Sequence, residues 1–375
     1  MGDGHGARRF ADAMSPLGDR ILRQIAAAGP IGVADYMALC LFDPDHGYYT
    51  TREPFGAQGD FTTAPEVSQM FGELLAAWLV AAWREAGAPA GAVIAEIGPG
   101  RGTMMKDMAR TLARLAPDLA ATARFALVET SPRLRRIQRQ TLDGAGPAFA
   151  WHDTATTLPA GPLFVAANEL FDALPVRQFV KTAAGWRERV VGIGEDGTLA
   201  FMAGAAGLDP GLLPAQAAAA APGTIAELAP AREALMETLA RRLAEHGGAG
   251  LFVDYGYVGP ALGDTLQALR RHRYDDVLAA PGEADLTSHV DFAPLAAVAR
   301  RCGLDVEIAG QGDFLLGLGL LERAGALGAG QDEAGRERIR AAVERLAGPE
   351  EMGRLFKVMS VRSRRRTPGL DVRTD

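Results

Sequence analysis

The stretch Ala92-Val-Ile-Ala-Glu-Ile-Gly-Pro-Gly-Arg-Gly-Thr103 decides the fold. A short apolar run, broken only by Glu96, enters a cluster formed by Gly98, Gly100 and Gly102, and helical spacing then runs from Thr103 to Leu115 and stops before Pro117. Strand, glycine turn and helix in that order let the backbone pass close to a ligand, because no Cβ stands in the way. A nucleotide-like cofactor is expected there. The spacing is GxGxG; the dinucleotide fingerprint asks for a glycine at position 103, where Thr103 stands. That departure argues against a nicotinamide-dependent oxidoreductase.

The pattern repeats outward. Phe125 to Val128 closes on Glu129 before Pro132 opens a helix, Phe149 to Trp151 precedes His152-Asp153, and Leu163 to Ala167 precedes Asn168-Glu169. Such βα-like units predict a parallel sheet. Between Val176 and Met202 the texture changes to alternating segments around Gly185, Gly192 and Gly197, which predicts an inserted antiparallel hairpin or two, followed by a loop from Gly204 to Gly223. Helical spacing resumes from Ile225 to Glu245. A further core strand, Gly250 to Val253, closes on Asp254-Tyr255-Gly256, and Leu304 to Ile308 and Phe356 to Val361 are expected to finish the sheet.

Composition narrows the function classes. The chain of 375 residues carries 39 Lys plus Arg against 46 Asp plus Glu, a net charge of -7, so it lacks the basic footprint of a nucleic-acid binder. Hydrophobic residues make up 48% and charged residues 23%, as in a folded globular protein. Cys40 and Cys302 stand alone and the six histidines are scattered, so neither a disulfide framework nor a metal site is expected. The strongest apolar run, Leu74 to Trp83, is too short to cross a bilayer and reads as a buried helix, so no membrane insertion is expected. No secretory signal is read in Met1 to Phe10, and a cytoplasmic location is the expectation.

The run Glu96-Ile-Gly98-Pro-Gly100-Arg-Gly102 resembles the first motif of class I S-adenosylmethionine-dependent methyltransferases, and Glu129 resembles the acidic residue that ends their second strand. The physics agrees: a carboxylate at a strand end beside the glycine turn can accept hydrogen bonds from both ribose hydroxyls, and His152-Asp153 can take the adenine edge. A helix N-terminal carboxylate is the competing account of Glu129. Four longer stretches sharpen the resemblance: Asp43-Pro-Asp-His-Gly-Tyr-Tyr49, Gly59-Asp-Phe-Thr-Thr-Ala-Pro-Glu66, Asn168-Glu-Leu-Phe-Asp-Ala-Leu-Pro175 and Gly282-Glu-Ala-Asp-Leu-Thr-Ser-His-Val-Asp-Phe292. They look like the MidA-like family, whose mitochondrial members are assembly factors for respiratory complex I.

The resemblance implies an α/β fold with a Rossmann-like class I methyltransferase core. Its expected layout is an N-terminal helical or lid region (1–65), a first part of the core (66–175), an inserted β and loop segment (176–224), a second part of the core (225–361) with a helical insertion at about 257–292, and a flexible tail (362–375). S-adenosyl-L-methionine is the implied cofactor. The implied activity is symmetric dimethylation of an arginine on the 49-kDa-type subunit of NADH:quinone oxidoreductase, with a homodimer left open. A non-catalytic assembly chaperone, binding the cofactor or a partner subunit, is the rival reading.

An arginine acceptor sets its own demand. Its guanidinium stays protonated at neutral pH, so carboxylates must orient it and localise its charge. Glu169 and Asp172, in the loop leaving the fourth strand, sit where a methyltransferase presents its acceptor. The competing account has Asn168 and Glu169 capping the next segment or supporting the methionine end of the cofactor. Asp60 and Glu66 flank Thr62-Thr63 in a segment that could close over the cofactor, or Thr63 and Glu66 form a capping box. His289 and Asp291 either receive the substrate or a proton, or serve the loop and a helix start. Trp78 and Trp83 read as core, and Arg133 to Arg139 as a solvated helix face.

Overall fold

The computed structural model describes residues 15–51, 62–270 and 273–364. Its central sheet is built on strands β1 (Val93–Ile97), β2 (Arg124–Val128), β3 (Phe149–His152), β4 (Leu163–Asn168), β5 (Gly248–Tyr257), β6 (Leu304–Gly310) and β7 (Phe356–Ser363). They lie in the order β6-β7-β5-β4-β1-β2-β3. Strands β5, β4, β1, β2 and β3 run parallel, and β7 is antiparallel to both of its neighbours. A two-residue strand, Val290–Asp291, adds to the carboxyl end of β5.

Alternation along the strands explains why both faces are covered. Ile94, Phe164 and Leu251 point into one core with α3 (Gln69–Glu85) and α4 (Thr103–Leu115). Val93, Val165 and Phe252 point into the other with α6 (Pro230–His246) and α7 (Phe292–Arg301). Helix α5 (Pro132–Thr141) follows β2. Trp78 is buried in the first core, as expected, and Leu74 to Trp83 lies inside α3. Among the described residues no helix is long and apolar enough to cross a membrane. Strand order reverses at β1, which has β2 on one side and β4 on the other, so a crevice opens beyond the carboxyl ends of these strands.

A second sheet of five strands is made by Ile31–Gly32, Arg177–Thr182, Gly185–Ile193, Leu199–Gly207 and Ile225–Leu228. Helices α1 (Pro16–Ala28) and α2 (Val33–Phe42) pack on it through Leu17, Ile21, Tyr36 and Leu41 against Val176 and Val191. The start of the expected helix, Ile225–Leu228, is thus a strand paired with Arg177–Thr182, and α6 begins only at Pro230, whose fixed φ suits a first helical turn.

The helical insertion expected at about 257–292 is corrected: the segment forms a three-stranded antiparallel sheet of Gln267–Arg270, Arg273–Asp275 and Asp285–Thr287. Strands of three and four residues are too short to show a period of their own. The helices that do interrupt the second half lie between β6 and β7, from Gln311 to Leu355. The expected tail also starts later, since β7 pairs through Ser363. The rest of it, from 365 onward, lies outside the described residues.

Gly248 opens β5 beside β4 with φ 123, and a Cβ there would stand 1.9 Å from the carbonyl oxygen of Leu163. Neither backbone can yield without breaking the central pairing. Gly248→Ala should therefore cost about 3 kcal/mol of stability, measured as a lowered denaturation midpoint.

Candidate active site

A cavity of about 470 Å3 opens over the carboxyl ends of β1, β4 and β5. One wall is the glycine turn. Gly98 (φ 66), Gly100 (φ 51) and Gly102 (φ 82) all take the left-handed conformation that lets the chain double back between β1 and α4. Gly98 and Gly100 line the cavity; Gly102 stands just behind, as the N-cap of α4.

Glu96 reaches the same space from inside β1. It is buried, the Met105 amide donates to it, its Oε2 has no partner among the described residues, and burial pushes its carboxyl well above the usual range. Asn168 is likewise buried, with Oδ1 unpartnered and Nδ2 donating to Glu169 Oε1 at 3.0 Å. Buried acceptors without partners are costly, so both call for donors from a ligand. The ammonium of an amino-acid-bearing cofactor offers three such donors, and the residues around the glycine turn fit that demand.

The loop after β4 brings two more carboxyls to the cavity. Glu169 sits at φ 50, unusual for a residue with a side chain, and its amide donates to Val253 O at 2.9 Å. Asp172 is buried; its Oδ2 accepts from the Tyr255 hydroxyl at 2.9 Å and its Oδ1 has no partner among the described residues. Burial first, then the charge of Asp172, pushes Glu169 up to about 8, and burial raises Asp172 as well. His289 lines the cavity edge-on to Tyr255, ring centroids 5.5 Å apart, and burial lowers its pKa, so at neutral pH it holds a free nitrogen. Asp291 serves as a helix start instead, capping α7 through the Ala293 amide at 2.9 Å.

The segment from Thr62 to Glu66 also lines the cavity, through Thr62, Thr63, Pro65 and Glu66. The capping box is not formed: the Thr63 side chain makes no cap bond, and Glu66 accepts instead from the Thr103 hydroxyl at 2.5 Å, with Arg101 at 3.7 Å. This fastens the segment to the start of α4. Asp60 lies outside the described residues.

Besides Gly102, three expected cofactor residues do not line this cavity. Glu129 is buried beside the glycine turn, where it accepts from the Ser131 amide at 2.8 Å and from Gln138 Nε2 at 3.1 Å; the same Gln138 amide donates to Gly100 O at 2.8 Å. Asp153 is exposed and paired with Arg135 of α5 at 2.6 Å. His152 turns its Nδ1 toward the Thr157 hydroxyl at 3.3 Å, with Nε2 buried and unpartnered among the described residues.

Other residues of the site escaped the sequence reading. Asp254 and Tyr255 were visible at the end of the fifth core strand, and Tyr49, Asp285 and Thr287 stood inside quoted stretches, but nothing in one dimension brought them together. Arg232, in the first turn of α6, is buried and donates to the carbonyls of His289 (2.8 Å), Ser288 and Asp172 (both 3.3 Å) and Leu174 (3.4 Å), tying the two loops. It carried no sequence signal beyond helical spacing.

A parallel core in this strand order, with a glycine turn at the reversal point and unpartnered acceptors facing the crevice, defines a class I methyltransferase. The comparisons agree. Residues 74–310 match the model of a family of S-adenosyl-L-methionine-dependent methyltransferases. Protein arginine methyltransferase NDUFAF7, mitochondrial, of Danio rerio is 34% identical, with 90% of this chain and 85% of that protein covered. The Homo sapiens protein of the same name is also 34% identical, covering 95% and 85%. A crystal structure from Burkholderia thailandensis, bound to S-adenosyl-homocysteine, superposes with a TM-score of 0.79 at 30% identity, covering 92% of this chain and 91% of that one.

The chain belongs to this MidA-like family of S-adenosylmethionine-dependent methyltransferases, and S-adenosylmethionine is its cofactor. The expected cytoplasmic location is overturned by these relatives, whose names place them in the mitochondrion. Few cysteines and an acidic balance describe a reducing aqueous compartment and do not choose among such compartments.

Gly100→Val should weaken S-adenosylhomocysteine binding at least 10-fold in calorimetry, since a branched side chain would fill the channel and strain the turn. A second expectation concerns pH. Glu169 in the fold titrates near 8 against an ordinary 4.5, so the folded state keeps a proton that the unfolded chain loses. That stabilisation is complete below the unfolded value and drains away as pH rises through the folded one. Glu169→Gln should therefore melt higher than the parent at about pH 8.5 and lose most of that advantage at about pH 5; a pH-independent difference would contradict a buried neutral carboxyl.

Proposed function

We propose that the enzyme methylates arginine in a protein, and that its substrate is the 49-kDa-type subunit of NADH:quinone oxidoreductase, which it converts to symmetric dimethylarginine. The observation that carries this reading is the pair Glu169 and Asp172, a half-buried and a buried carboxyl in the cavity that also holds the glycine turn, neither of them in an ion pair among the described residues. A guanidinium is the acceptor that such a pair suits, because it brings a charge and several N–H donors in one plane. The relatives' name, protein arginine methyltransferase, supports the same acceptor.

S-adenosylmethionine, when bound, supplies a sulfonium methyl group whose transfer to nitrogen leaves S-adenosylhomocysteine and one proton to be removed. The chain's own residues do the rest. Glu169 and Asp172 hold the far nitrogens and localise the positive charge there, which returns electron density to the nitrogen that reacts. Tyr255 keeps Asp172 in place, and His289, neutral and at the same cavity wall, is positioned to take the proton. The segment Thr62 to Glu66 narrows access by water.

Incubation of the recombinant subunit with enzyme and S-adenosylmethionine, read by mass spectrometry, should yield methylarginine. Glu169→Gln should lower kcat about 100-fold while S-adenosylhomocysteine binding persists. Methylation of lysine instead, or unchanged turnover by the variant, would sink the reading; a pure chaperone would be indifferent to the substitution.

A further inference from the structure

The cavity has a wall that the methyltransferase core does not supply. Gln267, Leu269, Tyr274, Asp285 and Thr287 come from the inserted three-stranded sheet, and Tyr49 comes from the N-terminal region. Asp285 is almost fully buried, and its Oδ1 accepts from the Tyr49 hydroxyl at 2.9 Å. Tyr49 and Tyr255 each feel the charges of both Asp285 and Asp172. The Tyr255 hydroxyl donates to Asp172, and Gln267 Nε2 donates to Thr287 at 3.4 Å. Hydrogen bonds thus tie Tyr49 to Asp285 and Tyr255 to Asp172 along this side of the cavity.

Charge points the same way. Among the described residues five carboxyl groups line the cavity, those of Glu66, Glu96, Glu169, Asp172 and Asp285, with the guanidinium groups of Arg101 and Arg345. Both of those are already engaged, Arg101 with Glu66 and Arg345 with Glu351. A buried carboxylate that opens onto a ligand cavity, braced by a tyrosine hydroxyl from another part of the fold, is an arrangement that serves a cationic ligand.

We infer that Asp285, braced by Tyr49, is a second clamp for the acceptor guanidinium, engaging it from the inserted sheet while Glu169 and Asp172 engage it from the core. The inference rests on the arginine reading above and adds the origin of its selectivity. A guanidinium carries five N–H donors spread over a plane and can satisfy carboxylates on opposite sides at once; an ammonium presents three donors from a point. Recognition from two sides therefore favours arginine over lysine, and it makes the inserted sheet part of the substrate site.

The test uses the full chain, S-adenosylmethionine and the recombinant 49-kDa-type subunit as acceptor, with methylarginine read by mass spectrometry. Asp285→Asn, nearly isosteric, should raise the KM for the acceptor at least 10-fold, with a smaller effect on kcat, and should bind S-adenosylhomocysteine as the parent does. Tyr49→Phe, which keeps the carboxylate but removes its brace, should raise the same KM by a smaller factor. Normal S-adenosylhomocysteine binding certifies that a variant is folded, and should Asp285→Asn fail that check, Tyr49→Phe decides. If the parent makes methylarginine and the folded variants retain its KM, the second clamp is refuted while the arginine reading stands. If the parent makes none, the arginine reading falls and the inference with it.

Discussion

The carboxylate of Asp254 holds the acidic loop in place. Fully buried at the end of β5, it accepts through Oδ2 from the amides of Leu170 (3.1 Å), Phe171 (2.9 Å) and Asp172 (3.2 Å), and through Oδ1 from its own neighbour Tyr255 (2.9 Å). Three successive amides converging on one oxygen set the chain leaving β4 in a tight turn, and the residue that enters the turn, Glu169, takes a left-handed conformation. Such strain of order 1–3 kcal/mol persists only where the surroundings over-determine it. Here they do, because Arg232 grips the carbonyls on the far side of the same loop. The result is a pair of carboxyls aimed into a cavity with little freedom to turn away, as positioned catalysis needs.

The insertions extend this logic from the loop to the wall facing it. The N-terminal helices are more than a lid, since they brace the turn from which Asp285 emerges. Ser15 Oγ donates to Pro281 O at 2.6 Å and the Tyr36 hydroxyl to Val277 O at 2.8 Å. A Cβ on Gly282 would lie 2.3 Å from His46 O. The approach is so close that only glycine fits, with φ 77 a further reason. The stretches Asp43 to Tyr49 and Gly282 to Phe292 are therefore two sides of one contact, although more than two hundred residues separate them, as the 236-residue span of the Tyr49–Asp285 bond records.

What could be read in the sequence follows from locality. The strand, glycine turn and helix from Val93 to Leu115 lie within one stretch of chain, so the turn and the helix that follows it were legible from spacing. Glu169 and Asp172 were legible because the loop after a parallel strand lies at the mouth of the crevice whatever else the fold does. Asp153 lies outside the cavity lining and pairs with Arg135 of α5, a contact that spacing along the chain did not signal. The inserted sheet was illegible because strands this short reveal themselves only through partners such as Gln267–Thr287, joined by the fold rather than by proximity in the chain. Tyr49, Tyr255 and Asp285 share that fate, since each becomes part of the site only by a bond across the structure.

The electrostatics of the site also bear on how it discriminates. Burial opposes the ionisation of Glu96, Glu169 and Asp172, and each charge that does form raises the cost of the next, as the push of Asp172 on Glu169 shows. The site without a ligand thus holds protons that a cation can displace. A guanidinium entering between the carboxyls lowers their pKa values, releases those protons and turns a repulsive cluster into paired charges. A neutral amide of the same shape gains none of this and leaves the cluster protonated. On the arginine reading proposed above, binding and charge state are therefore coupled.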